Sequence, residues 1–336
     1  MILVLFLPFS VKRVEEQLEA FLLMMGLSAA TVSGVWSGHL VHEAFREPLL
    51  ISLAVLIIGF FFRASRDYIR TYTGKFVKLV GLPVAIFTIV FMLGILSSVI
   101  TAIIAALVLT EVVSALNLDR KYEVRLVIYA CFAIGLGAAL TPLGEPLSTI
   151  VVSKLRAAPH NADFFYLLKK IGVWVVPGVF FMSLLASMNH GDAVKRSGLR
   201  TSERESVKDI ILRAGKVYIF VMALVFLGAG LRPLAEATIV SLPEWQLFWL
   251  NSLSAVLDNA TLAAAEIVPT MSDGKITYIL MGLLISGGML IPGNIPNIIS
   301  ASKLNIKSRE WASVALPLGA VVMLVYFVFM MLVVTV

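Results

Sequence analysis

The sequence predicts an all-α polytopic membrane protein made of two inverted-topology repeats, each with a re-entrant hairpin and a broken transmembrane helix. Of its 336 residues, 59% are hydrophobic and 14% charged, and the mean hydropathy is +0.95. This composition excludes an ordinary soluble domain. The apolar runs are long and continuous, as in helices that span a bilayer. Two of them are interrupted by Gly, Pro and Asn, which indicates helices that unwind at membrane depth.

The charge and the cysteine content further reduce the classes of function that the sequence allows. The formal net charge of +6 comes mostly from loops, so it indicates orientation in the membrane rather than binding to nucleic acid. The single cysteine, Cys131, can form no internal disulfide. We therefore expect a multi-pass protein of the cell membrane with no enzymatic chemistry and no cofactor. Its expected partners are the lipid bilayer and a small ion or anion as substrate.

The first half of the chain is predicted to contain N-terminal helices over 1–47 and a first repeat over 48–188. The apolar stretch 1–11 is short for a span, which needs about 20 residues. A hairpin is expected over 79–116, because basic loops flank this apolar run on both sides and the run is too long for one crossing. A broken helix is expected over 126–154.

The second half begins after a basic loop, 189–213, which we expect to be cytoplasmic. The second repeat then covers 214–336. It contains a hairpin over 245–270, entering from the outside, and a broken helix over 276–302. One loop, 154–170, has four basic residues although this topology places it outside.

Internal symmetry supports the repeats. The stretch "ILSSVITAIIAAL" (95–107) aligns with "SLSAVLDNATLAA" (252–264), and "GEPLSTIVVSKL" (144–155) with "GNIPNIISASKL" (293–304). The alignment pairs Ser97 with Ser254, Thr101 with Asp258, Gly144 with Gly293, Glu145 with Asn294, and Lys154 with Lys303. Paired, interrupted segments in inverted halves are typical of secondary transporters with a site at the membrane midplane.

The strongest candidate ligand is Asp258, a carboxylate within an apolar segment, since such residues are usually functional. The alternative is a structural carboxylate that holds the hairpin tip. Asn259 is predicted to cap the returning helix, to supply an oxygen ligand, or both. Asn294 and Asn297 lie in the second break, where they are interpreted as ligands or as turn residues.

In the first half, Glu145 lies in the broken helix and is a candidate proton carrier, because burial disfavours its charged form. Small hydroxyl residues nearby are weaker candidates, since they also let helices pack closely. These weaker candidates are Ser148, Thr149, Ser97, Ser98 and Thr101. Gly144 and Gly293 mark the breaks, where freed carbonyl groups could face the site.

At these residues the chain resembles the ion transporter superfamily, which includes divalent anion/sodium symporters, arsenite-efflux proteins and NhaD-type sodium/proton antiporters. The resemblance covers most of the chain from about Pro48. "LSAVLDNAT" is similar to the Asp-Asn signature of the antiporter and arsenite branches. The first-half "LSSVITAII" departs from it, with Ile100, Thr101 and Ala102 where the family carries Asn or Asp. The resemblance implies a homodimer.

A hard cation prefers carboxylate, amide and carbonyl oxygens. Asp258, Asn259 and Asn294 are therefore the candidate ligands for Na⁺, as transported or coupling ion. The favoured function is sodium/proton antiport, in which Asp258 and Glu145 alternate between cation binding and protonation. Cation-coupled transport of a small oxyanion or carboxylate remains open, and so does a passive channel.

Overall fold

The computed structural model describes residues 17–116, 118–188, 206–239, 242–256 and 259–333, and every regular element in these ranges is helical. The apolar stretch 1–11, most of the loop 189–213 and Asp258 lie outside the described residues. The helices are numbered α1 to α13 along the described chain.

The first half contains seven helices in the described residues. They are α1 Leu18–Val32, α2 Gly38–Val80, α3 Leu82–Ile100, α4 Ala102–Leu116, α5 Arg120–Ala138, α6 Pro146–Lys154 and α7 Tyr166–Met188. The described part of the second half has six: α8 Val207–Ile239, α9 Glu244–Leu250, α10 Asn259–Glu266, α11 Asp273–Gly287, α12 Ile295–Leu304 and α13 Ser308–Val333. Two 3₁₀ turns, Asn251–Ala255 and Ile291–Gly293, complete it.

Four of the described helices are long and apolar enough to cross a membrane. These are α3, α7, the Val207–Leu231 part of α8, and α13. The prediction of an all-α membrane protein is confirmed at this level. Exposed apolar side chains along α13, such as Val321 and Phe329, suit contact with lipid.

Helix α2 differs from the prediction, which divided the chain at residue 48. It runs without interruption for 43 residues, and Pro48 lies inside it. Ser37 caps its start by accepting a hydrogen bond from the Leu40 backbone N–H at 3.0 Å. It ends only at Gly81, whose φ of 81° is readily adopted by glycine. The basic stretch that follows the apolar part of α2 therefore continues the same helix.

The predicted breaks do interrupt the helices. Thr101, with φ of 77°, separates α3 from α4. Non-helical residues 139–145 separate α5 from α6, and residues 288–294 separate α11 from α12 with one short 3₁₀ turn. The 3₁₀ turn Asn251–Ala255 follows α9 before α10 begins.

The broken helices form the centre of the molecule. Nearly all side chains of α5 and α11 are buried. The two helices contact each other near the second break, where a Cβ on Gly288 would lie 2.5 Å from the Phe132 ring. The chain thus places its interrupted backbone in the protein interior, where non-helical backbone is tolerated at membrane depth.

Helices of the two halves pack reciprocally around this centre. Helix α12 of the second half packs against α4 of the first, and α6 of the first packs against α10 of the second. Helix α8 packs against α1 and α2. The contact with α1 is close because small residues face each other: a Cβ on Gly230 would lie 2.5 Å from the Ala29 carbonyl carbon.

Candidate functional site

The first break is tied to the preceding helix pair by hydrogen bonds. The Ala102 backbone N–H donates to the Gly144 carbonyl oxygen at 2.9 Å. The Thr141 hydroxyl donates to the Ser98 carbonyl oxygen at 2.5 Å. The α3–α4 corner at Thr101 is therefore held directly against the predicted break.

Two serines that the sequence aligns make matching contacts in the two halves. Ser97 Oγ shares its single proton between the Gly94 carbonyl oxygen at 2.6 Å and the Ile134 carbonyl oxygen at 3.1 Å. Ser254 Oγ donates to the Leu283 carbonyl oxygen, which is equivalent to that of Ile134, at 3.4 Å. Both serines are fully buried. Each joins the helix before a corner to the broken helix that follows. They therefore pack the corners and are hydrogen-bonded to backbone.

The two predicted glycines also occupy matching environments. A Cβ on Gly144 would overlap the carbonyl oxygen of Ala138, and a Cβ on Gly293 would lie 2.5 Å from the carbonyl oxygen of Gly287. In both halves the backbone at the end of the break thus packs against the C-terminal end of the helix that precedes the break. A larger residue at either glycine would push this backbone apart.

The second break contains a small polar cradle above Gly287. Three polar atoms face the point where a Cβ of Gly287 would stand: Gly293 O at 3.2 Å, Asn259 Nδ2 at 3.7 Å and Ser254 Oγ at 3.8 Å. The equivalent residue of the first half is Ala138, whose methyl group occupies the corresponding position. The cradle is therefore a feature of the second half.

Asn297 bridges the same break with its side chain. Its Nδ2 donates to the Gly287 carbonyl oxygen at 2.8 Å and to the Leu290 carbonyl oxygen at 2.9 Å. Its Oδ1 is buried and has no hydrogen-bond partner among the described residues. Because an unsatisfied buried acceptor is costly, this oxygen is available for a ligand.

Asn259 is also buried, with 2% of its surface exposed, and its Nδ2 has no hydrogen-bond partner in the described part of the chain. It is the first residue of α10, next to Asp258 in sequence. The carboxylate predicted as the principal ligand, Asp258, lies outside the described residues. Its neighbour nevertheless borders the cradle.

Asn294 and Glu145, which the sequence pairs, have nearly the same backbone conformation. Their φ and ψ are −155° and 148° for Asn294, and −156° and 160° for Glu145. Each immediately precedes a half-helix, and both are buried. The Asn294 amide reaches the first half, since a Cβ on Gly135 would lie 2.8 Å from its Nδ2. The N-terminal ends of α6 and α12, which are the positive ends of the helix dipoles, thus begin directly after these two residues.

The hydroxyl candidates separate into two groups. Ser148 is fully buried, and its Oγ has no hydrogen-bond partner among the described residues. Thr149 is exposed and donates to the Pro142 carbonyl oxygen at 2.6 Å, so it does not join the buried set. Ser98 Oγ donates locally to the Ile95 carbonyl oxygen at 2.8 Å.

Contacts that the sequence did not reveal join the halves around this site. Lys303 forms a buried ion pair with Glu111, and its aligned partner Lys154 donates to the Ile267 carbonyl oxygen at 3.1 Å. Glu266 is also buried, and its Oε2 has no hydrogen-bond partner in the described residues. The alignment of the two lysines could have indicated this role. Glu111 could also have been singled out as a carboxylate within the apolar run 79–116, whereas no local signal marks Ile267.

The fold and the buried polar breaks define a helical membrane protein whose polar centre is built from two interrupted helices. The chain belongs to the family described as "Protein of unknown function (DUF1646)", whose model matches residues 1–333. Among curated proteins, none matches the chain significantly.

Proposed function

We propose that this protein is a secondary active transporter, and that it exchanges sodium for protons. The observation that carries the proposal is the cradle above Gly287, bordered by Asn259 and Ser254. Asn297 donates to the Gly287 carbonyl oxygen, and its own Oδ1 has no partner among the described residues. Asp258, predicted to lie at the same corner, would add the negative charge that a cation requires.

An inverted-repeat architecture with two re-entrant hairpins is part of this proposal. It is supported by the matched serine contacts and by the reciprocal packing of α12 on α4 and of α6 on α10. A further match lies beside the serines. In the first half, a Cβ on Gly137 would overlap the Gly94 carbonyl oxygen. In the second half, Asn251 is equivalent to Gly94 and Ser286 to Gly137, and Ser286 Oγ donates a hydrogen bond to the Asn251 carbonyl oxygen at 2.6 Å.

The basic loop 154–170 is an exception to the proposed topology, although three of its four basic residues have partners in the structure. Lys169 pairs with Asp163 at 2.7 Å, and Lys170 pairs with Asp273. Lys154 donates to a backbone carbonyl group. Because carboxylates contribute little to the rule that basic loops face the cytoplasm, these pairs do not remove the discrepancy, and labelling of the loop from each side tests the topology.

In the proposed mechanism, one site alternates between a cation and a proton. Na⁺ would be held by Asp258, Asn259 and Asn294, with carbonyl oxygens of the second break completing its shell. Binding of the cation stabilises ionised carboxylates, so Asp258 or Glu145 releases a proton. Opening to the other side and loss of the cation then allow reprotonation.

The first half contributes less to the cation in this scheme. Thr101 stands where the second half has Asp258, and Ala138 fills the place of the cradle. Glu145 replaces Asn294 at the start of its half-helix. This asymmetry suits one cation site in the second half with a proton-carrying carboxylate in the first.

Coupled transport of a small oxyanion or carboxylate is the second candidate. The two half-helix N-termini at Glu145 and Asn294 favour it, because helix N-termini attract anions. Against it, Lys154 and Lys303 contact a carbonyl group and a carboxylate of the opposite half. The resemblance also implies a homodimer in the cell membrane, which we include in the proposal.

Purified protein in liposomes that contain a pH-sensitive dye tests the function. A gradient of Na⁺ should move protons, while K⁺ should not, and Asp258→Asn should abolish the signal without loss of folding. Proton movement driven only by an added oxyanion would replace antiport by the second candidate. Counterflow of labelled ion distinguishes a carrier from a channel, and ion flux without exchange would contradict the proposal.

A further inference from the structure

We propose that His160 is a proton-binding site whose protonated form clamps two loops from opposite halves of the molecule. His160 lies in the loop 155–165 that follows the first broken helix. It contacts the segment 267–273, which joins α10 to α11. This inference is independent of the proposed function.

The geometry of the imidazole ring is specific. Nδ1 lies 3.2 Å from Asp273 Oδ1, and Nε2 lies 3.1 Å from the Pro269 carbonyl oxygen. The His160 side chain is only 6% exposed, although Asp273 is 64% exposed. The ring therefore sits between two fixed partners, with little access for water that could satisfy either nitrogen.

Both partners are hydrogen-bond acceptors, and this determines the protonation state that fits. A neutral imidazole carries one N–H, so one ring nitrogen would present a lone pair to an acceptor. The imidazolium ion donates from both nitrogens and satisfies both contacts. Gain or loss of a single proton therefore makes or breaks one of the two contacts.

The charged groups around the ring indicate which contact is lost first. Lys170 pairs with the other oxygen of Asp273, so Asp273 stays anchored to α7 when His160 is neutral. The remaining imidazole proton is best kept at Nδ1, where it meets a carboxylate. Nε2 then repels the Pro269 carbonyl group. Loss of the proton should therefore release the segment around Pro269.

The other neighbouring groups that bear charge or titrate do not compete for the imidazole. They are Tyr166, whose ring centroid lies 6.3 Å from that of His160, Lys154, which donates to the Ile267 carbonyl oxygen, and Glu244, which accepts from Ser272 Oγ at 2.9 Å. The clamp is thus formed by His160, Asp273 and the Pro269 carbonyl group.

Two measurements on the purified protein in detergent test the proposal, and neither requires a transported ion. The first is ¹⁵N NMR of histidine-labelled protein, with His160 assigned by His160→Gln. Both of its nitrogens should be protonated where 267–273 is protected, and one proton should be lost where that protection falls. The second is amide hydrogen exchange of 267–273, corrected for the intrinsic effect of pH.

Protection of 267–273 should fall at least fivefold as pH rises from about 5.5 to about 8. In His160→Gln it should be low throughout. Asp163→Asn is the matched control. A hydrogen bond from Lys169 lowers the pKa of Asp163, so this pair within the loop stays ionised over the range. Protection that is independent of pH, an equal fall in His160→Gln, or a neutral His160 where 267–273 is protected would overturn the proposal.

Discussion

Ser97 and Ser254, 157 positions apart in the sequence, place their hydroxyl groups 3.1 and 3.4 Å from equivalent backbone carbonyl oxygens in the two halves of the molecule. The acceptors, the Ile134 and Leu283 carbonyl oxygens, are themselves equivalent under the alignment of the two breaks. Sequence alignment and three-dimensional contact therefore agree at four positions. Each serine fixes the distance between a corner and the broken helix beside it.

Removal of either hydroxyl group should destabilise the protein to a similar extent. Ser97→Ala and Ser254→Ala each leave a buried carbonyl group without this donor, at a cost of about 1 kcal/mol. Thermal unfolding in detergent measures the effect. Ser313→Ala is the control, because its exposed hydroxyl makes only a local bond to the Glu310 carbonyl oxygen. A cost confined to one of the buried serines would argue against their equivalence.

Gly287→Ala should separate stability from function. The added methyl group fills the cradle but meets its nearest atom at 3.2 Å, so the helix can accommodate it with a small shift. Gly287 is the last residue of α11, where the preference for Ala over Gly is weaker than the about 1 kcal/mol of a helix interior. We expect unfolding temperature to be kept or raised, while the Na⁺ concentration for half-maximal exchange rises at least tenfold. Gly215→Ala, in open space on α8, should leave exchange unchanged. Normal exchange by Gly287→Ala would remove the cradle from the site.

The sequence predicted the positions of the breaks well because their causes are local. Gly144, Gly293 and the prolines beside them lie close together, and such clusters interrupt a helix, whereas the isolated Pro48 lies inside one. It did not indicate that α2 runs through residue 48 and the basic stretch beyond it, because neither Pro48 nor Gly74 ends this helix, which stops only at Gly81. A change in hydropathy indicates where lipid ends, which need not be where a helix ends.

Part of the candidate site could also be predicted, because its signals are local in the sequence. Asn259, Asn294 and Asn297 stand out as polar residues in apolar runs, and all three are buried. The contacts of Glu111 with Lys303 and of His160 with Asp273 join residues more than 100 positions apart. They depend on how the halves pack, which no local pattern of one sequence encodes.

The proposed topology can be tested by labelling from each side of the membrane. Cysteine at the exposed Lys121 should react with an impermeant maleimide only from the cytoplasm, and cysteine at the exposed Ala157 only from outside. The native Cys131 is buried and should not react with the maleimide. Reaction of both positions from one side would rule out the inverted arrangement.

Removal of one partner of the buried ion pair between Glu111 and Lys303 should destabilise the protein more than removal of both. Glu111→Gln leaves the Lys303 ammonium group buried without this carboxylate, which costs about 3–5 kcal/mol. Adding Lys303→Met removes the uncompensated charge and should recover most of that loss. Thermal unfolding of both variants measures the difference. If the double variant is no more stable than Glu111→Gln, the ion pair is not what stabilises this contact.

Glu145 provides the most direct test of proton coupling. It precedes α6 as Asn294 precedes α12, with the same extended backbone, and it is 6% exposed. If Na⁺ and a proton compete for one site that includes this carboxylate, Na⁺ should bind less tightly as pH falls.

Glu145→Gln keeps the shape of the side chain but cannot ionise, so it should flatten this dependence on pH. The half-saturating Na⁺ concentration, measured over a pH series for both proteins, gives the comparison. Ser153→Ala, an exposed position on the same half-helix α6, controls for general disturbance of this helix and should keep the slope of the unchanged protein. Parallel curves for the unchanged protein and Glu145→Gln would show that the proton is carried elsewhere. If neither curve depends on pH, coupled oxyanion transport becomes the better explanation, because antiport requires the competition.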